Sequence, residues 1–168
     1  MGNEKTVRIG IIGCGGIANG KHMPSLRQIP GVQMVAFCDI IEERARKAKQ
    51  DYGTPDAAVY TDYRKLLEDK TIDVVHVCTP NRAHSFITVD ALHAGKHVMC
   101  EKPMAINAAE AKKMLDAAKE TGKLLTIGYQ SRQRADAQYM KQECLAGTFG
   151  DIYYAKATAI RQVGGQAV

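Results

Sequence analysis

Residues 7–18, VRIGIIGCGGIA, constrain the fold more than any other part of the chain. Val7–Ile12 is apolar except for Arg8 and Gly10, which predicts a buried strand. The turn Gly13-Cys14-Gly15-Gly16 follows, and a helix is expected from Ile17. The spacing G-x-G-x-x-A is that of a dinucleotide-binding turn. Each small residue has a physical reason. Gly13 permits the tight exit from the strand. Gly15 leaves the backbone open to a pyrophosphate, and Ala18 lets the helix lie close to the strand. The first N–H groups of such a helix lack internal acceptors, and the helix dipole favours an anion in front of them. A glycine turn without any ligand satisfies the same pattern, so the remainder of the chain has to decide.

That remainder alternates strand and helix. Residues 17–29 read as a first helix, bent or split at Pro24. Strands are expected at residues 32–38, 58–60, 72–78, 97–100 and 124–127, and helices at 42–52, 63–67, 84–93 and 108–120. Asp62 is the expected cap of the short helix, and Asn107 caps the last one, with Glu110 placed to complete a capping box. Short connections and strict alternation predict an α/β fold, a Rossmann-type doubly wound parallel sheet over residues 1–127. Beyond Gly128 the pattern changes. Residues 134–146 read as an amphipathic helix and 152–160 as a half-exposed strand. One helix and one strand cannot build a core. Residues 128–168 are therefore read as the opening of an incomplete second α/β domain.

Composition excludes several classes of function. The net charge of +5 is spread among acidic neighbours, without the clustered basic face of a nucleic-acid binder. The five cysteines are odd in number and form no C-x-x-C pair, so neither a disulfide framework nor a metal site is expected. Free cysteines suit a reducing cytoplasm. The polar start MGNEKT lacks the apolar core of a signal peptide, and no apolar run is long enough for a membrane span.

In doubly wound sheets, ligands bind beyond the carboxyl ends of the strands. That rule selects Gly13, Gly15, Gly16 and Ile17, then Asp39, Thr79-Pro80-Asn81, Glu101-Lys102-Pro103 and Gly128-Tyr129-Gln130. Asp39 closes the second strand about twenty residues beyond the turn, where an acid accepts the adenosine ribose hydroxyls. It would repel a 2′-phosphate, and Ile40 beside it offers no guanidinium, so NAD is expected over NADP. The competing role is a cap on the next helix. Lys102 is held extended by Pro103. Its ammonium can donate to a substrate hydroxyl or, deprotonated, take up its proton. Alone it would read as a surface lysine in a turn. His84 is a candidate polar contact near the nicotinamide. His22, His76, His93 and His97 read as structural or superficial.

Taken together, the motifs G-C-G-G-I-A at 13–18, Asp39, C-T-P-N at 78–81 with His84, and E-K-P at 101–103 are recognisable. The sequence resembles the glucose–fructose oxidoreductase / inositol dehydrogenase / rhizopine catabolism family, Gfo/Idh/MocA, from Val7 to about Ile160. The resemblance implies reversible hydride transfer between a nicotinamide and a hydroxyl carbon of a sugar or cyclitol. It implies Lys102 as the catalytic lysine, with a cis bond before Pro103. Cofactor contacts are implied from Gly13, Gly15, Gly16, Ile17, Asp39, Thr79, Pro80, Asn81, His84, Glu101, Lys102 and Gln130. It also implies a homo-oligomer for the full-length form. The family's second catalytic pair, Asp-x-x-x-His, has no counterpart, because no histidine follows His97. The chain therefore reads as a truncated, cofactor-binding piece, inactive alone. The alternatives are a stand-alone nucleotide-binding regulatory module and a Rossmann-like methyltransferase. The E-K-P and T-P-N motifs argue against the latter.

Overall fold

Strand β1, Val7–Ile12, lies at the centre of a six-stranded sheet and is paired on both sides. It runs parallel to β2, Val32–Cys38, and to β4, Val74–Val77. The computed structural model describes residues 6–158. These fall into two units, residues 6–129 and residues 130–158. In the first unit the order is β3-β2-β1-β4-β5-β6, with β3 Ala58–Tyr60, β5 His97–Cys100 and β6 Leu125–Ile127, all parallel. The chain winds outward from β1 in both directions. The switch point therefore falls between β1 and β4, the place where such sheets form a crevice. The sheet is the doubly wound architecture expected from the alternation.

Strand residues alternate between two faces, and each face has its own core. Ile9 and Ile11 of β1 and Phe37 of β2 pack with Ala18, Met23, Leu26, Ala45 and Ala48. Ile12, Val75, Val77 and Val98 pack on the opposite face with Leu66, Leu92 and Met114. Phe37 is fully buried, and a side chain of this size contributes about 1.5–3 kcal/mol when removed from water. Helix α2, Glu42–Tyr52, buries Ala45 and Ala48, three apart, which lets it lie close to the sheet. Helices α3, Tyr63–Glu68, α4, His84–His93, and α5, Ala108–Thr121, follow. Asp62 accepts from Arg64 N–H, as a cap should.

One local expectation is met in detail and two are altered. The helix after the glycine turn is split as Pro24 suggested. A π-turn, Ala18–His22, is closed by Met23 N–H on Ala18 O and leads into the short α1, Met23–Leu26, with Pro24 in its first turn. Only half of the capping box forms at Asn107. Its side chain accepts from Glu110 N–H, but the Glu110 carboxylate turns to Ser85 Oγ and Lys113 Nζ, tying α5 to α4. In the second unit, α6, Ala135–Leu145, forms, but residues 152–158 are not a strand. Ladder bonds come from a neighbour, and none pairs with this segment among the described residues. Ile152, Tyr153 and Tyr154 stand exposed. Residues 159–160 of the expected strand lie outside the described residues. Among these residues no helix is long and apolar enough to cross a membrane.

His76 occupies the middle of β4, only 8% exposed. Burial, with a smaller contribution from nearby His22, lowers its pKa from 6.5 to about 4. Between those two values the unfolded chain binds the extra proton and the folded chain does not. Stability is thus whole above pH 6.5 and is lost as the pH falls towards about 4. Chemical denaturation at stepped pH is expected to show a loss approaching about 1.4 kcal/mol per pH unit in this window. In His76→Asn the slope flattens.

Candidate active site at the carboxyl edge of the sheet

The ends of the six strands are stitched together by backbone bonds. Gly13 N–H donates to Cys38 O (2.8 Å), Cys78 N–H to Ile12 O (2.8 Å), Glu101 N–H to Val77 O (3.0 Å) and Gly128 N–H to Cys100 O (2.8 Å). Asp39 N–H donates to Tyr60 O (3.2 Å) at the end of β3. The loops that follow therefore form one continuous edge. Along it lie the glycine turn, Asp39, Thr79-Pro80-Asn81 and Glu101-Lys102-Pro103. Gln130 belongs to the second unit, where it starts the 3-10 turn Gln130–Gln133.

The glycines of the turn serve different ends. Gly13 has φ +92°, and a Cβ there would stand 2.7 Å from the carbonyl carbon and oxygen of Cys78. It is glycine because two strands meet at that point. A Cβ on Gly15 or Gly16 would meet nothing within 4 Å. Those positions border open space. Asn19 N–H donates to Gly15 O (3.0 Å) and closes the first helical turn, so the N–H groups ahead of it are the open donors of a helix start. Asn19 Nδ2 also donates to Cys14 O (2.7 Å) and Gly15 O (3.0 Å), holding the loop in shape. Ile17 is partly exposed, whereas Ala18 is fully buried against the sheet.

Asp39 does not cap α2, whose N-cap is Ile41. One carboxylate oxygen accepts Cys14 N–H (2.9 Å) and the other accepts Ile41 N–H (2.9 Å). The side chain thus locks the glycine turn to the end of β2. Each oxygen keeps a second lone pair for another donor. Ile40, beside it, is 89% exposed. Cys14 and Cys38 lie behind the turn, where burial pushes both thiols up to about 12, so they are packing groups rather than nucleophiles.

His84 departs from expectation. It is 1% exposed, with Nδ1 2.7 Å from Pro103 O and Nε2 2.9 Å from Thr79 O. Both ring nitrogens are engaged by backbone, so the expected contact with a ligand is replaced by a brace between the loops after β4 and β5. Both partners are backbone carbonyls, which only accept. Thr79 Oγ1 is buried without a hydrogen-bond partner among the described residues. Pro80 and Asn81 are exposed at the edge. The Lys102–Pro103 bond is cis, and the Lys102 side chain is exposed.

Glu101 also points inward. It is 5% exposed, with Oε1 2.8 Å from His22 Nε2 and Oε2 accepting Lys102 N–H (3.0 Å). His22 Nδ1 lies 3.1 Å from His76 Nδ1. The side chain of Glu101, expected to face a cofactor, is held by protein donors instead. Sequence reasoning passed over His22. The available signal was its spacing, since Ala18 and His22 are four apart and share the buried side of the helix that starts at the glycine turn. No group of His, Cys, Asp and Glu among the described residues could hold a metal ion.

Known proteins share this fold. A family described as an oxidoreductase family with an NAD-binding Rossmann fold, Gfo/Idh/MocA, matches residues 7–129. D-glucoside 3-dehydrogenase of Escherichia coli is 37% identical over 158 residues, covering 94% of this chain and 44% of the relative. Inositol 2-dehydrogenase of Salmonella typhimurium is 35% identical over 146 residues, covering 86% of this chain and 43% of the relative. The crystal structure of the WlbA dehydrogenase of Bordetella pertussis, in complex with NADH and UDP-GlcNAcA, superposes with a TM-score of 0.82 at 29% identity, covering 89% of this chain and 42% of that one. A 3-ketoreductase from Actinomadura kijaniata in complex with TDP-benzene and NADP superposes with a TM-score of 0.77 at 27% identity, covering 85% and 43%. The chain thus spans less than half the length of these relatives. It belongs to the Gfo/Idh/MocA oxidoreductase family, and residues 7–129 are its NAD-binding Rossmann domain.

Proposed function

We propose that the carboxyl edge holds NAD in preference to NADP. The pyrophosphate lies over the turn from Gly13 through Gly15 and Gly16 to Ile17, and the adenosine ribose lies at Asp39. The nicotinamide end falls between Thr79-Pro80-Asn81 and Lys102. The observation that carries this reading is the contrast among the glycines. Gly13 is required by the neighbouring backbone, whereas Gly15 and Gly16 border space that no protein atom fills. A close-approaching phosphate explains why side chains are absent there. Asp39 supports NAD because its buried carboxylate would face a 2′-phosphate with no cation from Ile40 to offset the repulsion. Among relatives, one solved structure holds NADH and another NADP, so the family uses both.

The wider protein is proposed to oxidise a hydroxyl carbon of a sugar or cyclitol, as the names of its relatives suggest for them. The bound nicotinamide supplies the hydride acceptor. Lys102 is the catalytic residue on this chain, and its amine takes the proton leaving the hydroxyl oxygen. Pro103 and the Glu101 carboxylate fix the backbone from which that amine extends. Residues 128–168 are proposed as the start of the substrate domain, whose completion would add the oligomer interface and the second acid–base pair.

Two measurements test the reading. The chain contains no tryptophan, so the fluorescence of NADH itself is the signal. Titration is expected to show NADH bound at least about tenfold more tightly than NADPH, a difference of about 1.4 kcal/mol. Asp39→Asn, which removes the charge but keeps the shape, is expected to narrow that ratio. Equal binding of the two would reject the NAD preference, and binding of neither would reject the cofactor site. Separately, the 168-residue chain mixed with NAD and inositol or glucosides is expected to form no NADH, because it lacks the second acid–base pair. Sustained turnover by the purified chain would refute that expectation.

A further inference from the structure

Three buried polar side chains from three elements meet beneath the carboxyl edge. His22 ends the π-turn after the glycine loop, His76 sits in β4, and Glu101 follows β5. Their exposures are 8%, 8% and 5%. Buried polar groups are expensive unless every one is hydrogen-bonded, and apolar packing of similar volume is often as stable. A purely structural need would not call for this set.

The bonding runs in one direction. A carboxylate only accepts, so His22 donates its Nε2–H to Glu101 Oε1 (2.8 Å). With the proton on Nε2, His22 Nδ1 accepts from His76 Nδ1–H (3.1 Å). The second oxygen of Glu101 accepts the backbone N–H of Lys102 (3.0 Å). A single carboxylate thus connects the helix of the glycine turn to the peptide that carries Lys102. Space for it is reserved as well. A Cβ on Gly128 would stand 3.2 Å from Glu101 Oε1 and 3.4 Å from its Cδ, so a larger residue at the end of β6 would crowd the carboxylate.

We propose that His22 is a positioning residue for Lys102. It holds the Glu101 carboxylate, which in turn fixes the Lys102 backbone relative to the glycine-turn helix. The phosphate end and the nicotinamide end of the site are thereby held in one register. This rests on the cofactor reading given above. π-turns are frequent at functional sites, and the one at Ala18–His22 delivers the histidine that makes this connection. His22 itself is buried, with its two ring nitrogens on His76 and Glu101, and is proposed to act only through them.

The test uses the ¹⁵N-labelled 168-residue chain, with NADH and ADP-ribose as two probes. ADP-ribose lacks the nicotinamide and reports only on the turn and Asp39. His22→Leu is expected to speed amide exchange at Lys102 at least about tenfold, since that N–H loses an ordered acceptor. It is expected to weaken NADH at least about fivefold while ADP-ribose changes by less than about twofold. His22→Gln, which can still donate to Glu101, is expected to restore both readouts. If His22→Leu fails to fold, His22→Phe, which fills the space of the imidazole but carries no donor for Glu101, carries the test with the same two readouts. Unchanged Lys102 exchange, or equal weakening of both ligands, would overturn the positioning role while leaving the cofactor site standing. A wild-type chain that binds neither ligand would overturn the cofactor reading and, with it, the purpose assigned to His22.

Discussion

The contact between Gly13 and the end of β4 governs the rest of the structure. No side chain fits there, because a Cβ would stand 2.7 Å from the Cys78 carbonyl group. The close approach lets β1 end beside β4, at the point where the winding of the sheet reverses. The loops after β1, β2, β4 and β5 then emerge along one edge. Asp39 reinforces this by clamping Cys14 N–H, and Cys78 N–H closes onto Ile12 O. A larger residue at position 13 would separate two strands and scatter the loops that follow. Gly15 and Gly16 are under no such constraint from the protein.

Behind that edge the protein replaces apolar packing with directed hydrogen bonds. His84 braces the loops after β4 and β5 through Thr79 O and Pro103 O. His22 and Glu101 join the glycine-turn helix to the loop after β5. Apolar contacts resist separation but tolerate sliding, whereas a hydrogen bond loses strength steeply with angle. Networks of this kind set relative position more sharply than hydrophobic contact does. They also concentrate histidines where burial alters protonation, as at His76. The thiols of Cys14, Cys38 and Cys100 follow the same rule, since burial pushes them up and keeps them inert.

The sheet was legible residue by residue because its signals are local. Short continuous apolar runs, helix caps and glycine stops depend only on near neighbours, and the order of strands and helices follows from them. The errors fell where a distant partner decides. Glu110 was expected to close a capping box but found Ser85 of α4 instead. Residues 152–158 alternate like a strand yet have no neighbour to pair with among the described residues. Asp39 and the glycine turn were found by spacing, but the bond between them could not be, since it spans 25 positions.

By itself the sequence determined the doubly wound class, the glycine turn, the acid at the end of β2 and the lysine beside Pro103, because short-range steric rules and fixed spacings encode them. Tertiary structure alone decided what the histidines do. His84 and His22 have no local pattern to distinguish a ligand from a brace. Their roles depend on acceptors 19 and 79 positions away, which the closing of the sheet brings within 2.8 Å or less. The same closing turned Glu101 inward, leaving Lys102 as the exposed member of the pair.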